Sequence, residues 1–402
     1  MADTLINGAV EDARGRMLSS ISGSARTERA PLNEAHGRIL ASDIIASRDQ
    51  PPFAASAMDG YALASADTPG RLVVIGEASA GSALPRALIT GEAARIFTGA
   101  PVPDGADSVA IQEDVTREGD SAAIPETPYG QNIRPRGLDF RAGDLLLRAG
   151  TRLDGIALSL AAAAGGGDVA VRARPRIALM STGDEIVQPG VQPGPYQIFD
   201  SVSFGLAALV EAWGGIATRL EARDDKVEEI TRASRDALET HDLIVTIGGA
   251  SVGDYDLVKP ALKAIGLQMS VEKVNMRPGK PVWFGKTDFG FVLGLPGNPA
   301  SALVCAHLFL KPIIAGMMGV DAGVAFEKAR LAIDLPANGP REHFLRSHLS
   351  TDDEGRRLVT PFEQQDSSLL SIFRDANALV RMRAKAGAMR AGDLADVLLL
   401  AR

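Results

Sequence analysis

Between residues 175 and 325, short apolar runs alternate with stretches of helical length, and this alternation constrains the fold more than any other feature of the chain. IALMS at 177–181, GIATRLE at 215–221, DLIVTI at 242–247 and GFVLGL at 290–295 read as strands. SFGLAALVEAW, KVEEITRASRDAL, a stretch from Lys259 to Ile265, and the run after PGNPAS up to about residue 317 read as helices. Strands and helices of these lengths predict a parallel α/β domain.

In an open parallel sheet, the loops beyond the carboxyl ends of the strands converge on a crevice where polar groups meet a ligand without disturbing the core. Three loops qualify: Ser181-Thr182-Gly183-Asp184-Glu185, the glycine-rich segment 248–254, and the segment 295–301. In the first, Thr182 and Gly183 offer a hydroxyl and backbone N–H groups, and Asp184 and Glu185 offer oxygens for a ligand or divalent ion. Alternatively, Asp184 only organises the turn. The second places three glycines around Ser251, either as a phosphate cradle or as a generic turn, with Asp254 and Asp256 close by. It is not a P-loop, since GxxxxGK[ST] is absent. The third precedes a helix, so Asn298 and Ser301 supply anion contacts or simply cap it. Lys273, Arg277 and Lys280 in MSVEKVNMRPGKP either offset ligand charge or form a solvated edge.

Around this domain the pattern changes. Residues 5–21 have helical spacing through Leu5, Ala9, Ala13 and Met17, and 28–48 reads as a short helix running into a strand. From 50 to about 140 short segments such as RLVVIGE and SVAIQEDV predict a β-rich lobe. Within it, Met58 reads as core packing, Asp59 beside Gly60 as a turn former or a ligand group, and Thr98-Gly99 as a hydroxyl-glycine turn. A small-residue helix is expected near 155–164. RLAIDL, FLRSHLS, RRLVTPF, ALVRMR and DVLLLA in the tail predict a small β-barrel.

Composition narrows the function. The 402 residues include 42 basic and 50 acidic side chains, a formal charge of −8, which lends no support to a broad nucleic-acid surface. The lone Cys305 cannot form an intrachain disulfide and points to a reducing compartment, and the N-terminus lacks a basic start followed by an apolar run, so the cytoplasm is the expected location. Ala300 to Val320 is interrupted by His307, Lys311 and Pro312 and reads as a buried helix, not a membrane span. His343 and His348 lack the further ligands of a zinc motif, His307 reads as a core histidine, and GxSxG is absent. The chemistry expected is carboxylate- and metal-assisted.

Seven separated motifs carry a resemblance over about residues 5–400. They are PPFAASAMDGYA at 51–62, FTGAPVPDGAD at 97–107, IRPRGLDF at 133–140, STGDEIV at 181–187, GGASVGDYD at 248–256, RPGKP at 277–281 and GLPGNPAS at 294–301. The chain resembles the molybdopterin molybdenumtransferase family. The resemblance implies a multidomain α/β protein: a discontinuous N-terminal lobe (1–44 plus 141–174), a β-rich lobe (45–140), a three-layer α/β molybdopterin-binding domain (175–327) and a C-terminal β-barrel-like domain (328–402). It also implies a cytoplasmic homodimer with a composite active site, and partners in molybdopterin adenylyltransferase and molybdoenzyme maturation factors.

The implied reaction joins molybdate to the dithiolene of adenylylated molybdopterin and releases AMP, with Mg²⁺ as the assisting ion. By matching motifs, Asp59, Asp139, Asp184, Glu185 and Asp256 would be catalytic. Thr98, Thr182, Ser251, Gly253, Lys273, Arg277, Lys280, Pro296 and Pro299 would bind substrate, and Glu185, Asp224 and Asp256 would hold the metal. Arg277 stands where lysine is also familiar, which keeps charge but changes donor geometry; Ala250 stands where valine is common. A molybdopterin adenylyltransferase and a non-catalytic molybdopterin-binding scaffold are the alternative readings.

Overall fold

A computed structural model of the chain describes residues 4, 6–220, 226–249 and 257–400. The polypeptide divides into two compact units, residues 29–171 and residues 1–28 with 172–402.

In the unit 29–171, a six-stranded sheet runs in the order 108–111, 60–63, 92–96, 70–78, 121–124, 116–118. Alternation along these strands sends Tyr61, Leu63, Leu72, Val74 and Ala93 to one face and Ala62, Ala78, Ile96 and Val109 to the other, and both faces are buried. A second core joins chain segments far apart in sequence: Ala30, Ala35 and Leu40 pack with Leu153, Ala157, Val169 and Val171. Its helix, Gly155–Ala163, starts where the Asp154 carboxylate accepts the Ala157 N–H at 2.8 Å. The helix expected within 28–48 is not there. Instead a strand Thr27–Pro31, a single 3-10 turn Leu32–Glu34 and a short strand Ile44–Ile45 occupy the segment. Pro31 cannot donate a ladder bond, and Gly37 takes φ +74, a left-handed value that ends any helical run. Met58 does not pack in the core: it lies 43% exposed in the turn between buried Ser56 and Gly60.

In the other unit, Arg176–Ser181 (β1), Val202–Ala212 (α1), Ile216–Arg219 (β2), Val227–Leu238 (α2), Leu243–Ile247 (β3), Val258–Lys263 (α3), Gln268–Val271 (β4), Trp283–Lys286 (β5), Phe291–Leu295 (β6) and Pro299–Met317 (α4) build a three-layer domain. The sheet order is β2-β1-β3-β6-β5-β4. β2, β1, β3 and β6 are mutually parallel; β5 runs antiparallel to both neighbours, so the expected parallel sheet holds for these four strands and a mixed edge completes it. The sequence reading passed over β5, whose Trp283 and Phe284, with Val282 just before them, lie fully buried. Ile230, Leu238, Val258, Ala261 and Leu262 from α2 and α3 pack on Ala178, Met180, Ile244 and Val292, each large side chain contributing about 1.5–3 kcal/mol. The Trp283 indole lies directly over Gly294 on β6, where any Cβ would collide with it.

Helix α4 satisfies the length and hydropathy expected of a membrane span but is 78% buried in this domain; no other described helix does. It contains a π-turn at Ala306–Leu310, where the buried His307 ring bonds to the Leu303 carbonyl at 2.9 Å through Nδ1. The N-terminal helix Val10–Ser20 buries Val10, Ala13 and Met17, and Gly316 of α4 lets Leu18 and Ile21 approach closely.

The tail forms the expected barrel. Glu327–Leu331 (β7), Glu342–Thr351 (β8), Arg357–Pro361 (β9), Ala378–Met382 (β10) and Leu394–Leu399 (β11) close in the order β8-β9-β7-β11-β10 and back to β8. Leu331, Leu345, Val359, Val380 and Val397 fill it. The strand Met276–Arg277 adds to its rim, pairing with Glu342 and His343.

Candidate active site

The chain leaves β1 toward β2 on one side and then crosses to β3 on the other, so the strand order reverses between β1 and β3. Such a switch opens a crevice beyond the carboxyl ends of the strands. Here it is a cavity of about 640 Å³, lined by Ser181 at the end of β1, Thr182 and Glu185 after it, Gly248 and Gly249 after β3, and Pro296, Asn298 and Pro299 after β6.

Glycine sets the approach of the three loops. Gly248 has φ +88, and a Cβ there would lie 3.0 Å from the Thr182 carbonyl oxygen; a Cβ on Gly297 would lie 3.4 Å from the Gly248 Cα. Gly183 has φ +135, and the Glu185 carboxylate folds back within 2.5 Å of where its Cβ would be. Backbone bonds Ile186 N–H to Gly183 and Ile198 N–H to Glu185, at 2.9 and 2.7 Å, hold the acidic turn against the short parallel pair Ile186–Val187 and Ile198–Phe199. The N-terminus of α4 opens on the cavity with Pro299 in its first turn, bringing the positive end of the helix dipole to an anion.

Thr182, Glu185, Pro296 and Pro299 thus converge as expected. Asp184 shares their turn, exposed to solvent, but does not line the cavity. Lys273, Arg277 and Lys280 do not line it either; their loop reaches it through Pro281. Arg277 lies opposite His343 in the barrel-rim pairing. Burial, then the charges of Arg277, Arg341 and Arg346, push the His343 imidazole down to about 4. Asp224, Ser251, Gly253, Asp254 and Asp256 lie outside the described residues. Asp59, Thr98 and Asp139 belong to the unit 29–171. There the Asp59 Oδ1 accepts the Thr98 N–H at 2.7 Å and its hydroxyl at 2.8 Å, and these bonds, followed by the Arg95 charge, hold the Asp59 carboxyl below its ordinary value. Asp139 is exposed, its N–H donated to the Gln50 carbonyl at 2.9 Å.

The sequence reading missed a fourth contributor. Ser368, from the barrel segment after β9, lines the same cavity. Asn298 donates to the Ser367 hydroxyl at 2.8 Å and Ala300 N–H to the Ser367 carbonyl at 3.0 Å. The segment is held by Arg346 of β8, only 1% exposed, whose guanidinium donates to the carbonyls of Leu369 and Asp366 at 2.9 and 2.8 Å. The run of small polar residues Gln364 to Ser368 was the available signal, and a periodicity search for strands discards such runs.

Sequence models of three family regions cover most of the chain: "MoeA N-terminal region (domain I and II)" over 9–165, "Probable molybdopterin binding domain" over 178–316 and "MoeA C-terminal region (domain IV)" over 328–400. A molybdopterin molybdenumtransferase of Haemophilus influenzae is 34% identical over 394 residues, covering 96% of this chain and 97% of its own. The chain belongs to the molybdopterin molybdenumtransferase family. A second relative of that name, from Nostoc, is 36% identical over 353 residues, 84% of this chain and 80% of its own. Among solved structures, a molybdopterin biosynthesis MoeA protein from Pyrococcus horikoshii superposes with a TM-score of 0.86 at 31% identity over 98% of this chain and 99% of its own.

Proposed function

We propose that the cavity beyond β1, β3 and β6 binds molybdopterin in its adenylylated form and that molybdenum insertion takes place there with release of AMP. The convergence of Thr182, Gly248, Gly249 and the α4 N-terminus on one cavity carries this reading. Anionic phosphate is matched by backbone N–H groups and a helix dipole, and the apolar side chains of Ile186, Ile198, Phe199 and Ile247 suit the flat pterin.

Mg²⁺ fits this setting in part. Among the described residues no three His, Cys, Asp or Glu side chains come together as a ready cage. Mg²⁺ instead commonly takes one or two carboxylates together with substrate phosphates and water. Glu185, with the Thr182 hydroxyl on the same cavity wall, is the donor set that would hold it. When bound, the ion would screen the charge of the phosphoanhydride. The protein's own groups then position the substrate: Thr182 and the glycine N–H groups fix the phosphate, and Ser368 and Asn298 close the other wall. Lys273, Arg277 and Lys280 would supply positive charge from the neighbouring loop.

In this reading the protein works as a cytoplasmic homodimer, with Asp59, Thr98 and Asp139 contributed by the second copy, and receives its substrate from an adenylyltransferase. The test incubates purified protein with adenylylated molybdopterin, Mg²⁺ and molybdate and follows AMP and metal insertion together. Molybdate-dependent formation of both products is expected; binding without either, where a control enzyme works, would overturn it. Glu185→Gln should lower kcat on the order of 10²-fold while KM changes little.

A further inference from the structure

Among the described residues Asp200 is the one buried carboxylate on the cavity wall, 4% exposed, and none of the motifs above includes it. A buried carboxylate persists only if hydrogen bonds and a counter-charge compensate its desolvation. Asp200 has both. Its Oδ2 accepts from the Ser181 hydroxyl at 3.1 Å and the Ser203 hydroxyl at 2.6 Å, and its Oδ1 accepts the Ser203 N–H at 3.2 Å in the first turn of α1. Arg219 at the end of β2 is the counter-ion, 3.8 Å away; it donates to Ser203 Oγ at 2.8 Å and to the Gln188 side chain at 2.9 Å and stacks on Phe204.

The placement of these partners gives the group its consequence. Ser181 is the last residue before the acidic turn, and Asp200 follows directly on Ile198–Phe199, so residues 182–199 form an excursion closed at its base by the Ser181–Asp200 bond. Gln188 lies inside the excursion and Arg219 outside it. The excursion carries Glu185 at its start and the apolar wall Ile198–Phe199 at its end; its own backbone ties are short-range bonds from Ile186, Val191 and Gln197, two cross-links from Ile198 and Asp200, and the bond from Thr182 N–H to the Ile247 carbonyl at its start. Closing the loop at its base removes conformational freedom that its few backbone bonds do not.

We infer that Asp200, with Arg219 and Ser203, is a positioning residue: the pairing of the buried Asp200 with the partly buried Arg219 clamps the base of the 182–199 excursion and thereby sets the Glu185 carboxylate in the cavity. This rests on the reading of the cavity as the substrate site. It requires no contact between Asp200 and the reacting atoms.

Two isosteric or near-isosteric changes test it. Asp200→Asn keeps the shape and an acceptor for Ser203 N–H but removes the charge facing Arg219; Ser203→Ala leaves Asp200 intact and deletes the hydroxyl that links the pair. Amide hydrogen exchange over residues 186–200 should rise on the order of tenfold in both, with the barrel and the unit 29–171 unchanged. In the AMP-release assay Asp200→Asn should lower kcat on the order of tenfold with KM near that of the parent, and should cause no further loss in a Glu185→Gln background. Unchanged exchange in both variants overturns the clamp. An unchanged kcat in Asp200→Asn, or losses that multiply in the double variant, overturns its action through Glu185. If the parent chain itself releases no AMP, the substrate reading fails, and the exchange comparison still decides the clamp.

Discussion

At the scale of single residues, several side chains hold charge states or spaces that follow from their neighbours. His343 is the clearest. In the unfolded chain it takes up a proton near pH 6.5, whereas burial and three arginines delay this to about pH 4 in the fold. The unfolded state therefore binds more protons between those values, and stability falls as the pH is lowered through the window. With solvent screening of this partly exposed ring the loss is on the order of 1 kcal/mol. Urea unfolding at pH 7 and pH 4.5 should show a smaller acid penalty for His343→Gln than for the parent. Gly294 is a second case, since the Trp283 indole occupies the place of its Cβ. Gly294→Ala should destabilise by about 1–3 kcal/mol through overpacking, seen as a lower Tm with altered tryptophan emission.

At the scale of elements, the barrel matters to the site through one segment. Arg346 satisfies carbonyls of the 364–369 run, and that run delivers Ser367 and Ser368 to the α4 N-terminus. Arg346→Met keeps much of the side-chain volume but removes the donor from those part-buried carbonyls, at about 1–3 kcal/mol. The expected result is a Tm lowered by several degrees and a weakened affinity for adenylylated molybdopterin, measured by calorimetry. A lowered Tm with unchanged affinity would confine Arg346 to the barrel. The elements themselves were largely readable: every helix of the α/β domain and four of the five barrel strands lie where apolar spacing placed them, while β7 shares only Arg330 and Leu331 with RLAIDL at 330–335. The exceptions have local causes. The antiparallel β5 follows a stretch rich in Pro, Gly and Lys and looks like loop, and 28–48 has helical composition but is broken at Pro31 and Gly37.

At the scale of the whole molecule, the proposed dimer makes a prediction that no single subunit can satisfy. An Asp59→Asn chain and a Glu185→Gln chain would each be impaired, yet a mixture unfolded and refolded together should regain about a quarter of the parent activity, since half the dimers are mixed and each of those holds one intact pair. No recovery in mixtures shown by native mass analysis to contain mixed dimers would place both carboxylates in one subunit's site or in no common site. The sequence by itself determined the alternation of strands and helices, the tail of short strands, and the family, because hydrophobic period and glycine-bearing motifs are local properties of the chain. It also marked Thr182, Glu185, Pro296 and Pro299, which stand in motifs at strand ends. Only the tertiary structure decided that Ser368 and Asp200 share their cavity, that Lys273, Arg277 and Lys280 stand back from it, and that Met58 is exposed. Those outcomes depend on which segments meet across the fold, and a pairing between residues 181 and 200 or 298 and 367 leaves no periodic trace in the chain.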